Sequence, residues 1–333
     1  ITNWTQLQNI DNNAVVSSDY YYDLSNSLDN QTSDYADIIG SVTDTNNAGF
    51  DPIGDHVKSF KGTFDGLNHT ISDLYINRPT QEYVGLFGFT DTATASNIGL
   101  LNNSIIGSNK VGTLIGYAAF STIKNSYSTG AVTGNYYIGG LVGFDFSTID
   151  NSYSTATVTG NNYVGGLVGE HSVGDITNSY ATGIVTGNDY LGGLIGSNEG
   201  GADIKNSYST GPVSFKTGAT GDKIGGLVAN LVGGMSGDGT VTNSFWNIDT
   251  SSQITSAGGI GKTSEEMQLA ATYSDATWNI TNDGTLNSNY KYPVLVTENG
   301  TTSWKIYKFI STSSNTNNNN DIEDIITTIT NTT

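Results

Sequence analysis

A short unit recurs through the middle of this chain. It reads IKNSYSTGAVTGNYYIGGLVG from Ile123, IDNSYSTATVTGNNYVGGLVG from Ile149 and ITNSYATGIVTGNDYLGGLIG from Ile176. A fourth copy, IKNSYSTGPV from Ile204, resumes at IGGLV from Ile224. The Asn that opens each NSY stands at 125, 151, 178 and 206, so the steps are 26, 27 and 28 residues. A degenerate fifth copy, VTNSFWN, begins at Val241, and a weaker copy, IGLLNNSIIGSNKVGTLIG, begins at Ile98. YVGLFG from Tyr83 repeats the second half once more. A fixed period of this length means one supersecondary unit stacked on its neighbours.

Helical repeats are excluded because each copy is saturated with Gly, Thr, Ser and Asn, which are poor helix formers. Short β-branched and aromatic runs separated by Gly and Asn read as strands and turns. Two or three strands fit in each copy, which is one coil of a solenoid, whereas a propeller blade needs roughly 40–45 residues. The expected fold is therefore all-β, a β-solenoid. About 240 residues at roughly 26 per coil give nine or ten rungs, a rod of ~45 Å at the spacing of paired strands.

Four regions are expected. Residues 1–80 form an N-terminal cap and the first rungs, with Trp4, Leu7 and Ile10 on one side of a short helix or turn. SFKGTFDGLNHTISDLYIN (59–77) reads as a strand pair turning at Asp65–Gly66. Residues 81–258 form the repeat solenoid. Residues 259–297 form a C-terminal cap with one short helix near 263–271, for which Ser264 is the expected N-cap. Residues 298–333, rich in Asn, Thr and Ser, read as a linker or tail.

Strict alternation from Ile123 places Asn125 and Tyr127 inward with it and Lys124 outward. On that reading Asn125, Asn151, Asn178, Asn206 and Asn243 form an internal amide ladder, since each amide both donates and accepts. Tyr127, Tyr153, Tyr180, Tyr208 and Phe245 form an aromatic column beside it. Paired glycines such as Gly139–Gly140 supply positive φ or close backbone approach at a corner. A second aromatic series, Tyr137, Tyr163 and Tyr190 with Tyr136 adjoining, is the candidate binding surface. Outward, it would stack on sugar rings or pack on a partner; inward, beside Ile138, Val164 and Leu191, it would be core or corner packing. Insertions of five residues between Gly211 and Gly225, and of four between Gly226 and Asn243, mark protruding loops.

Twelve Lys and Arg stand against 31 Asp and Glu, for a net charge of −19, and Arg78 is the only arginine. Such a chain repels nucleic acid, whose binders must displace counterions from phosphates, and anionic lipid surfaces. No apolar run approaches the roughly 18 residues of a membrane-spanning helix, so no membrane insertion is expected. With no cysteine there is neither a disulfide nor a thiolate metal site. The first residue, Ile1, leads us to read the chain as a mature or excised part of a longer precursor.

The units NSYSTG-x-VTG-xxx-VGGLVG resemble the GLUG repeat. FKGTFDGLNHTISDLYI resembles the lead-in block of such regions, and NSFWNIDTS, GIGKTSEEM and YPVL resemble their exit block. GLUG repeats occur in bacterial surface exoproteins, including filamentous-haemagglutinin-like adhesins, and beside the catalytic part of M26-type IgA-cleaving metallopeptidases. The resemblance, over about residues 50–295, implies a right-handed parallel β-helix at the cell surface or beyond it. It implies no shared activity.

No catalytic residue is expected. His56, His69 and His171 are isolated, so the His-Glu-x-x-His pair of a metallopeptidase is missing. A nucleophile elbow is also missing. Pairs such as Asp145 with Asp150, or Glu170 with Asp175, are what an acidic chain contains by chance. Calcium could use the turn residues Asn188–Asp189 and Asp238, but the turn preference of Asp and Asn explains them, so no cofactor is expected. The expected function is a non-catalytic secreted or surface-displayed module of an adhesin-like exoprotein, holding a host or surface receptor or a glycan on its lateral faces. The alternatives are a subunit whose partner is further copies of itself, in a surface layer, sheath or filament, and a polysaccharide-active β-helix enzyme.

Overall fold

The computed structural model describes residues 1–12, 20–40, 47–233, 239–286, 291–298 and 301–308. Parallel strands stack into a β-solenoid of about nine turns. Each full turn contributes to three walls. The first runs through Ile115–Lys124, Val142–Asp150, Val168–His171, Ile195–Glu199 and Val228–Val232. The second carries Gly99–Ile106, Tyr127–Thr133, Tyr153–Ser154, Tyr180–Ala181, Tyr208–Ser209 and Phe245–Asn247. The third is the shorter set Asn109–Val111, Tyr136–Gly139, Asn162–Gly165, Asp189–Gly192 and Ile224–Gly225.

Register follows the repeat, because equivalent residues of successive copies pair directly. Ile115, Val142, Val168, Ile195 and Val228 form one buried row. Val111, Ile138, Val164 and Leu191 form another. A one-residue slip would expel both rows, and each buried aliphatic side chain is worth about 1.5–3 kcal/mol, so register is strongly fixed.

The alternation expected from Ile123 breaks at the corner, which corrects two expectations. Asn125, Asn151, Asn178, Asn206 and Asn243 all adopt left-handed backbone, φ 48–51°, a conformation that Asn tolerates. The parity of the chain flips there. Ser126, Ser152, Ser179, Ser207 and Ser244 turn inward and are buried, and Tyr127 and its equivalents stand on the outside. The internal amide ladder is thus not formed: Asn125 Nδ2 donates to Asn97 Oδ1 at 3.0 Å, but Asn151 and Asn178 both donate to the Asp150 carboxylate and Asn243 to Thr277 Oγ1.

Serine supplies the internal ladder instead. The N–H of Ser126 donates to Ser152 Oγ, that of Ser152 to Ser179 Oγ, that of Ser179 to Ser207 Oγ and that of Ser207 to Ser244 Oγ, at 3.1–3.2 Å. Each hydroxyl then donates to the carbonyl two residues before it, as Ser179 does to Thr177 at 2.7 Å. The corner leaves buried N–H groups without a strand partner, and a buried donor must be satisfied. An amide chain does occur elsewhere, at the outer corner Asn135–Asn161–Asn188, linked at 3.1 and 3.4 Å.

The tyrosine column is real but lies outside the solenoid. Tyr127, Tyr153, Tyr180 and Tyr208 stack at 4.6–4.9 Å with planes within 5°. The far end is roofed by a three-stranded sheet, Ile280–Leu286, Val294–Glu298 and Thr301–Lys308. Trp304 lies 5.7 and 5.8 Å from the Tyr180 and Tyr208 rings, and Tyr208 donates its hydroxyl to Pro293 O at 2.6 Å. Phe245 pairs in register with Tyr208 but turns its ring to Tyr273 and Trp278. The strand Thr301–Lys308 therefore falls within the stretch expected to be a tail; residues 309–333 lie outside the described residues.

The ends differ from expectation in detail. Trp4–Asn12 is the short helix, with Trp4, Leu7 and Ile10 buried against the first turn. The expected pair at 59–77 is not a hairpin: Thr63–Asp65 and Thr70–Ser72 each pair in parallel with neighbouring turns, so Asp65–Gly66 is a solenoid corner. The expected helix near 263–271 is a 3-10 turn, Glu266–Gln268, followed by Ala270–Ser274, broken where Leu269 is extended. Its cap is Thr263 rather than Ser264. Glu266 N–H donates to Thr263 Oγ1 while Thr263 N–H donates to Glu266 Oε2, a reciprocal capping box.

Candidate functional site

The candidate surface lies at the corner that joins the third wall to the first. Tyr137, Tyr163 and Tyr190 have φ of 55–63°, a left-handed conformation that bulky residues rarely adopt. Of the two roles expected of the paired glycines, positive φ or close approach, Gly140 serves close approach: a Cβ there would sit 2.2 Å from Gly166 O and from Ser154 Oγ. With the tyrosine taking the turn, its neighbour Ile138 points into the core and the phenol is left half-buried at the outer edge. Tyr163 lies 4.9 Å from Tyr137 and 4.5 Å from Tyr190, planes within 22°. Tyr136 is 45% exposed and tilts against Tyr137 at 6.5 Å.

Stacking decides how this column can be used. Ring faces are spent on one another, so the column offers edges and hydroxyls to solvent. A sugar ring needs a free aromatic face, and the three tyrosines do not provide a platform of such faces. The column also has members that sequence reasoning missed. Lys110 stands in register with Tyr137, and Tyr83 with Lys110, a relation already visible when GSNKVG is aligned with GNYYIG.

The first wall extends the aromatic surface. Phe89, Tyr117 and Phe144 follow one another in register, stacked at 4.5 and 5.2 Å, and Tyr137 meets Phe144 edge-on at 5.0 Å. The next residue in that register is Glu170, then Ser197. Burial, with the Glu199 charge added, pushes the Glu170 carboxyl up to about 7. Tyr163 is pushed up to about 12, by burial first and then by Tyr190, Tyr137 and the two glutamates. Glu170 and Glu199 project from the same wall, one turn and two residues apart, rather than facing across a cleft. A glycosidase needs two carboxylates flanking the bond to be cut, and this arrangement does not flank one.

Beneath that wall lies a buried pair. Asp145 and His171 are both 0% exposed, and Nδ1 of the imidazole is 2.8 Å from Asp145 Oδ2. Nε2 faces the Gly174 carbonyl at 3.1 Å, so Nε2 carries a hydrogen and donates it. Burial raises the Asp145 carboxyl, opposed by its bond to His171. Neither side chain reaches solvent. Among the described residues no three His, Asp or Glu side chains converge as a metal set; Asp238 lies outside those residues. Two grooves of about 440 and 230 Å³ lie on the second wall, where Tyr127 and Tyr153 meet the C-terminal sheet near Tyr292 and Thr302.

Comparison with known proteins agrees with the repeat. The GLUG motif matches residues 134–159, 160–186 and 187–214, so the motif is phased from Gly134. The chain is 40% identical over 147 residues to halomucin of Haloquadratum walsbyi, which is 43% of this chain and 2% of halomucin. It is 37% identical over 76 residues to a "Putative Gly-rich membrane protein" of Evansella cellulosilytica, covering 23% of this chain and 8% of that protein. The chain thus spans a small fraction of the relatives it matches. Among solved structures, a "putative immunoglobulin A1 protease" of Bacteroides ovatus superposes with a TM-score of 0.59 at 23% identity, over 80% of this chain and 85% of that one, a likeness of fold alone. Residues 134–214 are three tandem GLUG motifs, and they are successive coils of one parallel β-solenoid.

Proposed function

We propose that the chain is a non-catalytic β-solenoid module of a secreted or surface-displayed exoprotein, and that it works by offering its lateral aromatic wall to a partner. The observation that carries this reading is the continuous surface from Phe89, Tyr117 and Phe144 to Tyr137, Tyr163 and Tyr190. Repetition along a rigid rod lets modest contacts add. The GLUG match and the relation to halomucin support the extracellular setting.

Self-assembly end to end is disfavoured by the ends themselves. The helix Trp4–Asn12 closes the first turn, with Trp4, Leu7 and Ile10 buried there. At the other end Thr250 Oγ1 and Gln253 Nε2 donate to Thr210 O and Val213 O, while Ser256 Oγ accepts from the N–H groups of Leu227 and Val228. Edges finished in this way are poor templates for another copy.

The test compares the wild type with the triple variant Tyr137→Ser/Tyr163→Ser/Tyr190→Ser for binding to intact cells, with a glycan array as the control for sugar hydrolysis and circular dichroism as the folding control. Binding by the wild type, reduced at least tenfold in the folded variant, is the expected result. Undiminished binding by the variant, polymerisation of the pure wild type in light scattering, or hydrolysis of an array glycan would sink the reading.

A further inference from the structure

Glu170 holds an unusual place on the first wall. Three preceding turns put a ring at that register, Phe89, Tyr117 and Phe144, and the fourth puts a carboxylate. The residue is only 8% exposed, and among the described residues its carboxylate, which still reaches the surface, makes no hydrogen bond and no ion pair. Glu199, held by the Ser197 hydroxyl at 3.0 Å, adds a like charge nearby. Phe144 is the register neighbour of Glu170 one turn back, Tyr137 meets that ring edge-on at 5.0 Å, and Tyr163 turns the corner that leads into the strand of Glu170, Val168–His171. A buried carboxylate without a partner is costly, and the group that would relieve it is a cation.

The corner column already shows what such surroundings accept. The Lys110 ammonium sits 4.7 Å from the centre of the Tyr83 ring, 3.5 Å from its hydroxyl and 3.4 Å from the Glu82 carboxylate. Two turns further on, the tyrosines and the carboxylates are present and a lysine is not: Tyr137 and Tyr163 occupy the column where Lys110 stood.

We propose that Glu170 and Glu199, rimmed by Phe144, Tyr137 and Tyr163, form a receptor for a guanidinium group, namely an arginine side chain carried by a protein partner. The inference rests on the lateral-wall reading above and names the chemistry of its ligand. A hard metal ion wants six or more oxygen ligands, whereas this place offers two carboxylates among rings. A guanidinium is planar and weakly hydrated, and it can bond two carboxylate oxygens at once while its plane lies against apolar carbon. The partner is a different protein, because a second copy would bring another net charge of −19, and its single arginine, Arg78, is bonded to Asp51 at 3.1 Å.

The full chain is titrated with N-acetyl-arginine amide by ligand-observed NMR. Saturable binding is expected, weakened at least tenfold in Glu170→Gln and changed less than twofold in Asp37→Asn, which removes one exposed charge elsewhere. Glu170→Gln removes an uncompensated charge, so it stays folded, as its melting curve will show. Equal effects of the two substitutions, equal affinity for N-acetyl-lysine amide, or displacement of the arginine amide by millimolar calcium chloride would overturn the proposal. Absent arginine binding with cell binding that still depends on the tyrosines would overturn this inference alone and leave the lateral-wall reading standing.

Discussion

Replacing Glu170 with Gln should stabilise the protein, and only above a definite pH. Burial, and then the Glu199 charge, move the Glu170 carboxyl from 4.5 to about 7. The folded state therefore holds this proton more tightly than the unfolded chain does. Stability is full below pH 4.5, declines as the pH rises through the interval from 4.5 to about 7, and is flat above it. A difference of about 2.5 on the pH scale at 1.36 kcal/mol each gives ~3.4 kcal/mol, and partial screening by solvent lowers this to about 2–3 kcal/mol. Urea unfolding of both proteins at pH 4 and pH 8 measures the effect. Glu170→Gln should match the wild type at pH 4 and exceed it by about 2–3 kcal/mol at pH 8, with an unchanged denaturant slope. Equal stability at pH 8 would refute the claim that the carboxylate is uncompensated, and so would a loss at both pH values.

Two further substitutions probe the interior. Ser179→Ala removes the acceptor of the Ser152 N–H and should cost about 1–3 kcal/mol in chemical denaturation, the usual penalty for a buried orphan donor. His171→Ala leaves the Asp145 carboxyl buried without its imidazole and should cost about 3–5 kcal/mol; Asp145→Ala with His171→Leu should recover most of that, since well-packed apolar residues replace a buried polar pair at little cost.

The period of the repeat made the coil, the stacking axis and the register of Ile138, Val164 and Leu191 legible, because a solenoid is the fold in which equivalent residues become neighbours. Facing was not legible beyond a corner. Alternation assumes extended backbone, and one residue in left-handed conformation, Asn125, reverses every assignment after it until the next turn. That single reversal hid the serine ladder and sent Tyr127 outward. The same mechanism at Tyr137 went unnoticed because glycine looked like the better candidate for positive φ. Pairing direction was misjudged at 59–77 because a strand, an Asp-Gly and another strand look alike in a hairpin and in a solenoid corner. Glu170 carried no signal in its own copy; only alignment with Phe144 and Tyr117, turn by turn, shows a carboxylate in a position otherwise given to rings.

The chain has no cysteine of its own, which allows a direct test of the claim that one repeat is one coil. Ala131 and Thr157 are exposed partners on adjacent turns of the second wall. Strand spacing puts their Cα atoms ~4.8 Å apart, within disulfide reach. Ile184 follows Thr157 one turn further along, in register by its neighbours Val158 and Val185, at about twice that distance from Ala131. Ala131→Cys with Thr157→Cys should oxidise to completion in the folded protein, while Ala131→Cys with Ile184→Cys should keep two free thiols. Free thiols in the first pair, or a disulfide formed equally well in the second, would contradict the stacked coil on which the wall, its tyrosines and its carboxylates depend.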